Sequence, residues 1–340
     1  MLPLVTLALS FVFSAYAIRG QTFQIGIIDL FGLNKVDARD VRNALTFKEG
    51  DTISLGGDES PAVFKASEDR LMKLPGVIGA HINPVCCESG RVVVYVGIQE
   101  RGASTLRFRS APNGSERLPA DVINAGQDFD NAMSAAVSRG DAAEDRSKGH
   151  SLMHDPATRA IQEKFITFAN RDLTLLRRVL RNSSEANHRA LAAQLLGYAA
   201  DKQAVVDELV GGMSDPAGEV RNNSMRALLV FAEAAPSPTG SMIRVPAEPF
   251  VRFLHSLVWS DRNKAAGALN AITAKRYAKV LSELRKIAIG PLVEMARWRS
   301  PGHAQPAFMI LARIAGYTDE AAVGMWDGGK RDKIIEAMTR

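Results

Sequence analysis

The sequence predicts an α+β domain at the N-terminus, followed by an all-α solenoid of helical repeats. Apolar and polar residues alternate at residues 23–27 and 92–98, which indicates β-strands. From Asp155 onwards the apolar residues recur with a period of about 3.6, which indicates helices. The chain has 340 residues and is 46% hydrophobic but only 6% aromatic, a composition that suits two domains and closely packed small helices.

The N-terminal segment at residues 1–17 has the composition of a secretory signal peptide. It contains no charged residue, it is mostly apolar, and small residues at Ala15 and Ala17 form a cleavage motif. Its apolar run of about a dozen residues is shorter than the roughly 20 that a transmembrane helix needs. We therefore expect cleavage after Ala17, a periplasmic or secreted protein, and no transmembrane anchor in the mature chain. Because no Lys or Arg precedes the apolar run, an uncleaved anchor or a buried helix is the alternative.

The two cysteines, Cys86 and Cys87, are neighbours in the sequence. Their Cα atoms would lie about 3.8 Å apart, below the usual lower limit of about 4.4 Å for a disulfide, so a bridge between them would be strained. Intermolecular pairing and free, partly buried thiols are the alternatives. A zinc site is not expected, because there is no second cysteine pair and no histidine at ligand spacing. We expect neither a metal nor a cofactor.

Residues 18–101 are predicted to form a small domain with the element order β-α-α-β-β. Asp37 can cap the first helix, and Ser60 followed by Pro61 is typical of the start of the second. Pro84 indicates that the second strand ends at a sheet edge. The strands are predicted at residues 23–27, 77–84 and 92–98, and the helices at residues 37–45 and 61–74.

This order, together with two short motifs, resembles a POTRA domain over residues 22–101. The motifs are Leu-Pro-Gly-Val at residues 74–77 and a valine-rich last strand that ends in Glu100 and Arg101. POTRA domains occur in envelope assembly and secretion machinery and commonly take a partner strand onto a sheet edge. The resemblance therefore implies a protein-binding edge at residues 77–84, although the domain could also be only a spacer. The partner-binding residues that it implies are Ile78, Ala80 and Ile82.

Residues 102–151 are predicted to connect the two domains. Asn113 and Gly114 form a strong turn dipeptide, which favours a β-hairpin at residues 104–119. A helix is predicted at residues 120–139. The charged segment at residues 140–149 has few apolar residues and is expected to be a mobile loop.

Residues 152–340 contain four copies of a helical motif, each following another amphipathic helix. The best copy, residues 214–221, resembles the turn and second helix of a HEAT repeat. Asp215 can cap this helix, Val220 packs inward and Arg221 reaches along the surface. In HEAT-like families the Asp and the Arg usually tie adjacent repeats together, so the resemblance makes these three residues structural. The copies begin at His188, Val220, Asn263 and Ala304, and the last two lack the Val-Arg pair.

A HEAT-like solenoid exposes a long concave face that generally binds protein segments. The proline-rich residues 235–249 are predicted to form an insertion loop that interrupts the stack. Such loops are either functional or flexible surface segments. The sequence predicts a protein-binding face and does not identify the partner.

The net charge of the chain is +5 at pH 7, and the excess is densest at residues 262–299, where nine basic residues meet two acidic ones. Such a surface could bind an anionic polymer or lipid headgroups, and a solvated helix face is the alternative. Nucleic acid is not expected as a partner, because only Tyr277 and Trp298 are interleaved with the basic residues and the protein is exported. The candidate ligands are Arg262, Lys264, Lys275, Arg276 and Lys279.

No catalytic site is predicted. Residues 149–153, Gly-His-Ser-Leu-Met, approach a nucleophile elbow, but a charged segment precedes them and Met153 occupies the position of a small residue. His150 and His154 have a spacing that can bind metal on a helix, but no third ligand is evident. We therefore expect an exported scaffold or adaptor in envelope assembly or secretion rather than an enzyme. Binding of anionic polymer or lipid headgroups is the alternative function.

Overall fold

A computed structural model describes residues 21–55, 61–234 and 243–339, and these form two compact units. One unit comprises the described residues as far as Leu106, Phe253–Asn263, and the residues from Ala278 onwards. The other comprises Arg107–Arg252 and Lys264–Tyr277. The predicted signal peptide lies outside the described residues, as does most of the predicted insertion loop.

The first unit is built on a mixed four-stranded sheet with the strand order β2-β1-β4-β3. Strand β1 is parallel to β4, and the other two pairs are antiparallel. The predicted order lacked β2, because its four residues are too few for an alternating pattern to be recognised. The elements are β1 at Gln21–Phe31, α1 at Ala38–Ala44, β2 at Thr52–Leu55, α2 at Ala62–Leu71, β3 at Val77–Glu88 and β4 at Arg91–Glu100.

Helices α1 and α2 cover one face of the sheet. The Asp37 carboxylate accepts a hydrogen bond of 2.8 Å from the Arg39 N–H and so caps α1, as predicted. Helix α2 is fixed to the loop before β2, because the Ser67 hydroxyl accepts the Thr46 N–H at 2.9 Å. The core between helices and sheet contains Ile25, Ile28, Val41, Phe64, Leu71, Ile82, Val92, Val94 and Val96.

Helices from the C-terminal third of the chain cover the other face of the sheet. On that face Tyr95 is fully buried and stacks on Trp259, with ring centroids 5.1 Å apart. The Tyr95 hydroxyl shares a hydrogen bond of 2.6 Å with Nδ1 of His303, and Phe31 meets the edge of the Trp298 ring. Strand β4 is therefore buried on both faces. This burial explains why the compact unit does not end at residue 101, where the domain boundary was predicted.

The remaining described elements are helices, apart from the short strands β5 and β6 described below. Among the described residues, no helix is long and apolar enough to cross a membrane. The second unit stacks helix pairs in a repeat, as predicted for a solenoid, with small residues such as Ala192 and Ala227 buried. The helices are α3 at Ala120–Ser138, α4 at Pro156–Arg171, α5 at Leu173–Asn182, α6 at Ala186–Leu196, α7 at Val206–Gly212, α8 at Gly218–Glu233, α9 at Glu248–Phe253, α10 at Trp259–Thr273, α11 at Ala278–Ile287, α12 at Ile289–Ala296, α13 at Pro301–Ile314, α14 at Asp319–Asp327 and α15 at Arg331–Ala337.

The hairpin predicted at residues 104–119 is not formed, and this segment has no regular secondary structure apart from an isolated bridge between Gly114 and Ser183. Its backbone bonds to the ends of helices instead. The Gly114 N–H donates to the Asn182 carbonyl at 2.8 Å, and the Gly114 carbonyl accepts the Ser184 N–H at 2.9 Å. A Cβ atom at position 114 would lie 2.5 Å from the Asn182 oxygen, so glycine serves this close approach rather than a tight turn.

The segment predicted as a mobile loop, residues 140–149, carries a short ladder and a buried carboxylate. Strands β5 at Glu144–Asp145 and β6 at Leu152–Met153 pair antiparallel. The Glu144 side chain is only 2% exposed because two arginines bind it. Charged residues of this segment therefore form internal ion pairs, whereas the sequence predicted that they would be solvated in a mobile loop.

Cys86 and Cys87, near the end of β3, are joined by a disulfide. The sequence left open a disulfide between these two residues, intermolecular pairing or free thiols, and the structure contains the disulfide. The Glu88 carboxylate, one residue further on, accepts a hydrogen bond of 2.7 Å from the Ser300 hydroxyl.

Double burial of β4 predicts that Gly97 tolerates no side chain. A Cβ atom there would lie 2.5 Å from the Leu257 carbonyl oxygen and 2.6 Å from the Phe31 ring. We expect Gly97→Ala to lower the free energy of unfolding by about 1–3 kcal/mol, because the overpacked neighbours must move. Urea unfolding followed by tryptophan fluorescence measures this. Gly290→Ala, at a helical position with nothing within 4 Å, is the matched control and should be neutral or stabilising.

Candidate functional sites

The predicted binding edge is strand β3, which lies at one end of the sheet order. The Ile82 N–H donates to Oε1 of Glu68 at 2.7 Å, so it points away from β4. Successive residues of an antiparallel strand turn their N–H and C=O groups to opposite sides. Ala80 and Pro84, two residues to either side of Ile82, therefore also face outward. The outward-facing backbone of these three residues is what we call the β3 edge.

The β3 edge offers more hydrogen-bond acceptors than donors. Pro84 has no N–H, and the N–H of Ile82 is held by Glu68. Ala80 thus supplies the remaining amide donor of the β3 edge, beside the outward carbonyl groups of all three residues. Proline and charged side chains at an edge are common means of preventing uncontrolled strand pairing.

The predicted partner-binding side chains differ in their exposure. Ile78 is 43% exposed and Ala80 is partly buried, whereas Ile82 is 2% exposed and points into the core under α2. Ile82 can therefore offer a partner only its backbone, which is the part of the residue that strand addition uses. The ladder shifts register between Val77 and Gly79, and this irregularity turns Ile78 outward.

The predicted basic surface loses two of its five members to burial. Arg262 is 4% exposed, pairs with Glu294 at 2.6 Å and lies 4.5 Å above the Phe31 ring. Burial lowers the pKa of Arg262 from its usual value. Lys264 is 8% exposed. Neither residue lies on a surface that an anionic polymer could reach, so the predicted set is reduced to Lys275, Arg276 and Lys279 at the end of α10 and the start of α11.

Lys264 belongs to a buried cluster of charged residues in the second unit. Burial, followed by repulsion from Arg226 and Arg146, lowers its pKa to about 7. Attraction from Glu144 opposes this shift only in part. Glu144 itself is bound by Arg226 and by Nε of Arg146 at 3.0 Å.

The same cluster accounts for the serine that resembled a nucleophile. The Ser151 hydroxyl is buried and accepts a hydrogen bond from Arg226 at 3.2 Å. Its carbonyl accepts the Tyr198 hydroxyl at 2.9 Å. Burial lowers the pKa of His150, whose ring lies beside Tyr198. The Ser151 hydroxyl is thus part of the charge cluster around Glu144 and Arg226.

Asp215 is the centre of a second buried charge cluster. It accepts two hydrogen bonds of 2.8 Å from Arg189 on α6, one of 2.6 Å from Arg109, and one from the Ala217 N–H. Burial raises the pKa of Asp215, but the hydrogen bonds from both arginines outweigh it and hold the pKa below its usual range. Arg189 occupies in its repeat the position of Arg221 in the next, so Asp215 joins two copies of the motif.

The structure corrects the alignment of the third copy. In three turns an arginine donates to a backbone carbonyl six residues earlier: Arg189 to Ser183, Arg221 to Asp215, and Arg262 to Ser256. The third copy therefore contains this arginine, two residues before the position first aligned. Val220 is fully buried, and Arg221 is 3% exposed with its guanidinium 4.1 Å above the Phe108 ring.

No sequence pattern pointed to Arg109, which lies in the extended segment before the repeats. It donates to Asp215 and also to the carbonyl groups of Leu180 and Arg181 at the end of α5. These contacts span 71 to 106 positions of the chain. The sequence around an isolated arginine in a polar segment gives no indication of a bonding partner so far along the chain.

Comparison with known proteins identifies no family. No protein family model matches the chain, and no curated protein sequence matches it. Among solved structures it is similar to a designed armadillo repeat protein, with a TM-score of 0.37 and 17% identity over 56% of this chain and 89% of the designed one. A similarity of this size carries no argument. The class that the fold defines, a small mixed sheet and a helical repeat, follows from the elements described above.

In the parts of the chain that the structure describes, no group of three or more His, Cys, Asp and Glu side chains could hold a metal ion.

The Asp215 cluster predicts that Asp215→Asn strongly destabilises the protein. Arg189 would remain buried without its carboxylate, and breaking a buried ion pair typically costs about 3–5 kcal/mol. Urea unfolding measures the free energy. Asp207→Asn removes the same charge from an exposed position on α7 and should change it by less than about 0.5 kcal/mol. Equal effects of the two variants would contradict a structural role for the cluster.

The pKa of Lys264 predicts a pH dependence of stability. Since this pKa is about 7 in the folded protein and higher in the unfolded chain, the folded state binds fewer protons between about pH 7 and pH 10. The free energy of unfolding from this group therefore rises with pH across that window. Thermal or urea unfolding should show a smaller slope in Lys264→Met than in the wild type. Lys279→Met, which removes an exposed lysine, should retain the wild-type slope.

Proposed function

We propose that the protein is an exported adaptor that binds an extended segment of a protein partner along the β3 edge. The observation that carries this proposal is the geometry of the edge, where three consecutive outward positions lie next to the exposed Ile78. An added strand would pair with the backbone of Ala80, Ile82 and Pro84. The proposal includes export through the signal peptide at residues 1–17, and action in the envelope or outside the cell.

The POTRA resemblance supports the same proposal at the level of the sequence. The first unit contains the predicted strands and helices around a mixed sheet, with β2 as an additional strand. Strand addition is the interaction that this resemblance implies. In the proposal, the sheet edge binds one partner.

The helical repeat supports the adaptor part of the proposal. Stacked helix pairs present extended surfaces, and such surfaces generally bind proteins. In the second unit the turns are fixed by the Asp215 cluster, which keeps such a surface rigid. We propose that this unit binds a second protein. For the alternative, binding of anionic polymer, Arg262 and Lys264 are buried, and Lys275, Arg276 and Lys279 remain as the candidate ligands.

Photo-crosslinking in cells tests the proposed edge. A photoreactive residue at Ile78, which is exposed, should give a discrete crosslinked product with one protein. The same residue at Ile123, an equally large side chain that is 36% exposed on α3, is the control for non-specific contact. Ala80→Pro in the Ile78 variant removes the last amide donor of the β3 edge and should abolish the product.

The results distinguish strand addition from other roles. A product that persists at full yield in Ala80→Pro would overturn the proposed strand pairing. Discrete products from Ile123 but none from Ile78 would make the first unit a spacer, with the interaction in the helices. Circular dichroism of each variant verifies that it is folded.

A further inference from the structure

Glu68 on α2 reaches over the β3 edge and fills a position that belongs to a strand. Its Oε1 atom accepts the outward N–H of Ile82 at 2.7 Å, a normal length for the bond between paired strands. The same oxygen lies 3.2 Å from Nδ1 of His81. The carboxylate therefore makes the hydrogen bond that the carbonyl of an added strand would make.

Helix α2 holds Glu68 in this position from both sides. The neighbouring Ser67 is fully buried and bonded to Thr46, and Leu71, three residues after Glu68, is fully buried in the core. Glu68 is thus presented to β3 by a helix that is fixed to the sheet. The contact is part of the fold and not a chance approach of a free surface side chain.

The charge of Glu68 strengthens the contact. Burial raises its pKa, but hydrogen bonds from His81 and Ile82, with the nearby charges of His81 and Lys65, outweigh this effect and lower the pKa below the ordinary glutamate value. At neutral pH the group is therefore ionised. A hydrogen bond to a carboxylate is stronger than one to a neutral carbonyl.

We propose that Glu68 is an internal substitute for the partner strand and keeps the β3 edge closed until an extended segment of a protein partner displaces it. This inference rests on the proposed function of the edge. The incoming segment must supply a backbone carbonyl opposite Ile82, and the released carboxylate turns to solvent or to Lys65 on its own helix. When the contact between Glu68 and Ile82 opens, the β3 edge offers two amide donors, those of Ala80 and Ile82, instead of one.

The first test needs no partner and measures amide hydrogen exchange at Ile82. In Glu68→Ala the Ile82 amide should exchange about tenfold faster or more, because it loses a hydrogen bond to a charged group. Asp69→Ala removes the same charge from the next, exposed residue of α2 and should leave this rate unchanged. An unchanged rate in Glu68→Ala would overturn the proposal.

Two conservative variants separate the effect of side-chain length from the effect of charge. Both should fold even if Glu68→Ala is unfolded. Glu68→Gln keeps an acceptor oxygen at the same distance and should keep the amide protected. Glu68→Asp keeps the charge but is one methylene shorter, and should expose the amide as Glu68→Ala does. Protection in Glu68→Asp would contradict a contact that depends on reach.

The second test measures the yield of the crosslink from Ile78. The yield should rise several-fold in Glu68→Ala and Glu68→Asp, and stay at the wild-type level in Asp69→Ala. Faster exchange at Ile82 without any discrete crosslink in any variant would mean that Glu68 closes an edge that binds no partner, and only the proposed function fails. If the Glu68 variants change the exchange rate at Ile82 but not the yield of the crosslink, the closing role of Glu68 is overturned and the proposal of strand addition stands.

Discussion

The burial of strand β4 on both faces is the constraint on which the first unit depends. Helices α1 and α2 cover Val92, Val94 and Val96, while Tyr95 on the opposite face needs aromatic cover of its own. That cover comes from Trp259 and Trp298, more than 160 residues further along the chain. The sheet is therefore the middle layer of a three-layer unit, and the last helices of the chain belong to its core. With both faces covered, the sheet has only its two edge strands, β2 and β3, left to pair with a further strand, and the second of these carries the β3 edge.

Buried arginines play the corresponding part in the helical turns. Arg189, Arg221 and Arg262 each donate to a carbonyl six residues earlier, and Arg189 and Arg262 also bind the carboxylates of Asp215 and Glu294. The carbonyl groups at helix ends lack partners within the helix, so these bonds satisfy groups that would otherwise be buried at a cost. An excess of arginine in such a chain reflects internal bonding as well as surface charge. Among the basic residues at 262–299, Arg262 and Lys264 are buried in this way, whereas others such as Arg285 and Lys286 are exposed.

Alternation and helical period were sufficient to predict the long elements, because each contains a local pattern of five or more residues. They failed where the decisive contact is distant. The Asn113-Gly114 pair favours a hairpin locally, yet Gly114 bonds to Asn182 and Ser184. Strand β3 was predicted with its edge position, but the outward direction of Ile78 depends on a register shift between Val77 and Gly79 that no residue type reveals. The roles of Glu68 and Arg109 were not predicted for the same reason. The sequence does not distinguish a charged residue that is solvated from one that bonds to a distant part of the chain.

The three-layer unit has a consequence for the order in which the protein forms. Its sheet is complete after about a hundred residues have been made, but the aromatic cover of Tyr95 and Phe31 is encoded in the final third of the chain. During synthesis, one face of the sheet is uncovered while the whole second unit is being made. Contacts of such large sequence separation fold slowly and expose apolar surface to chaperones and to aggregation. A polypeptide with this arrangement depends on its last helices for the maturation of its first domain.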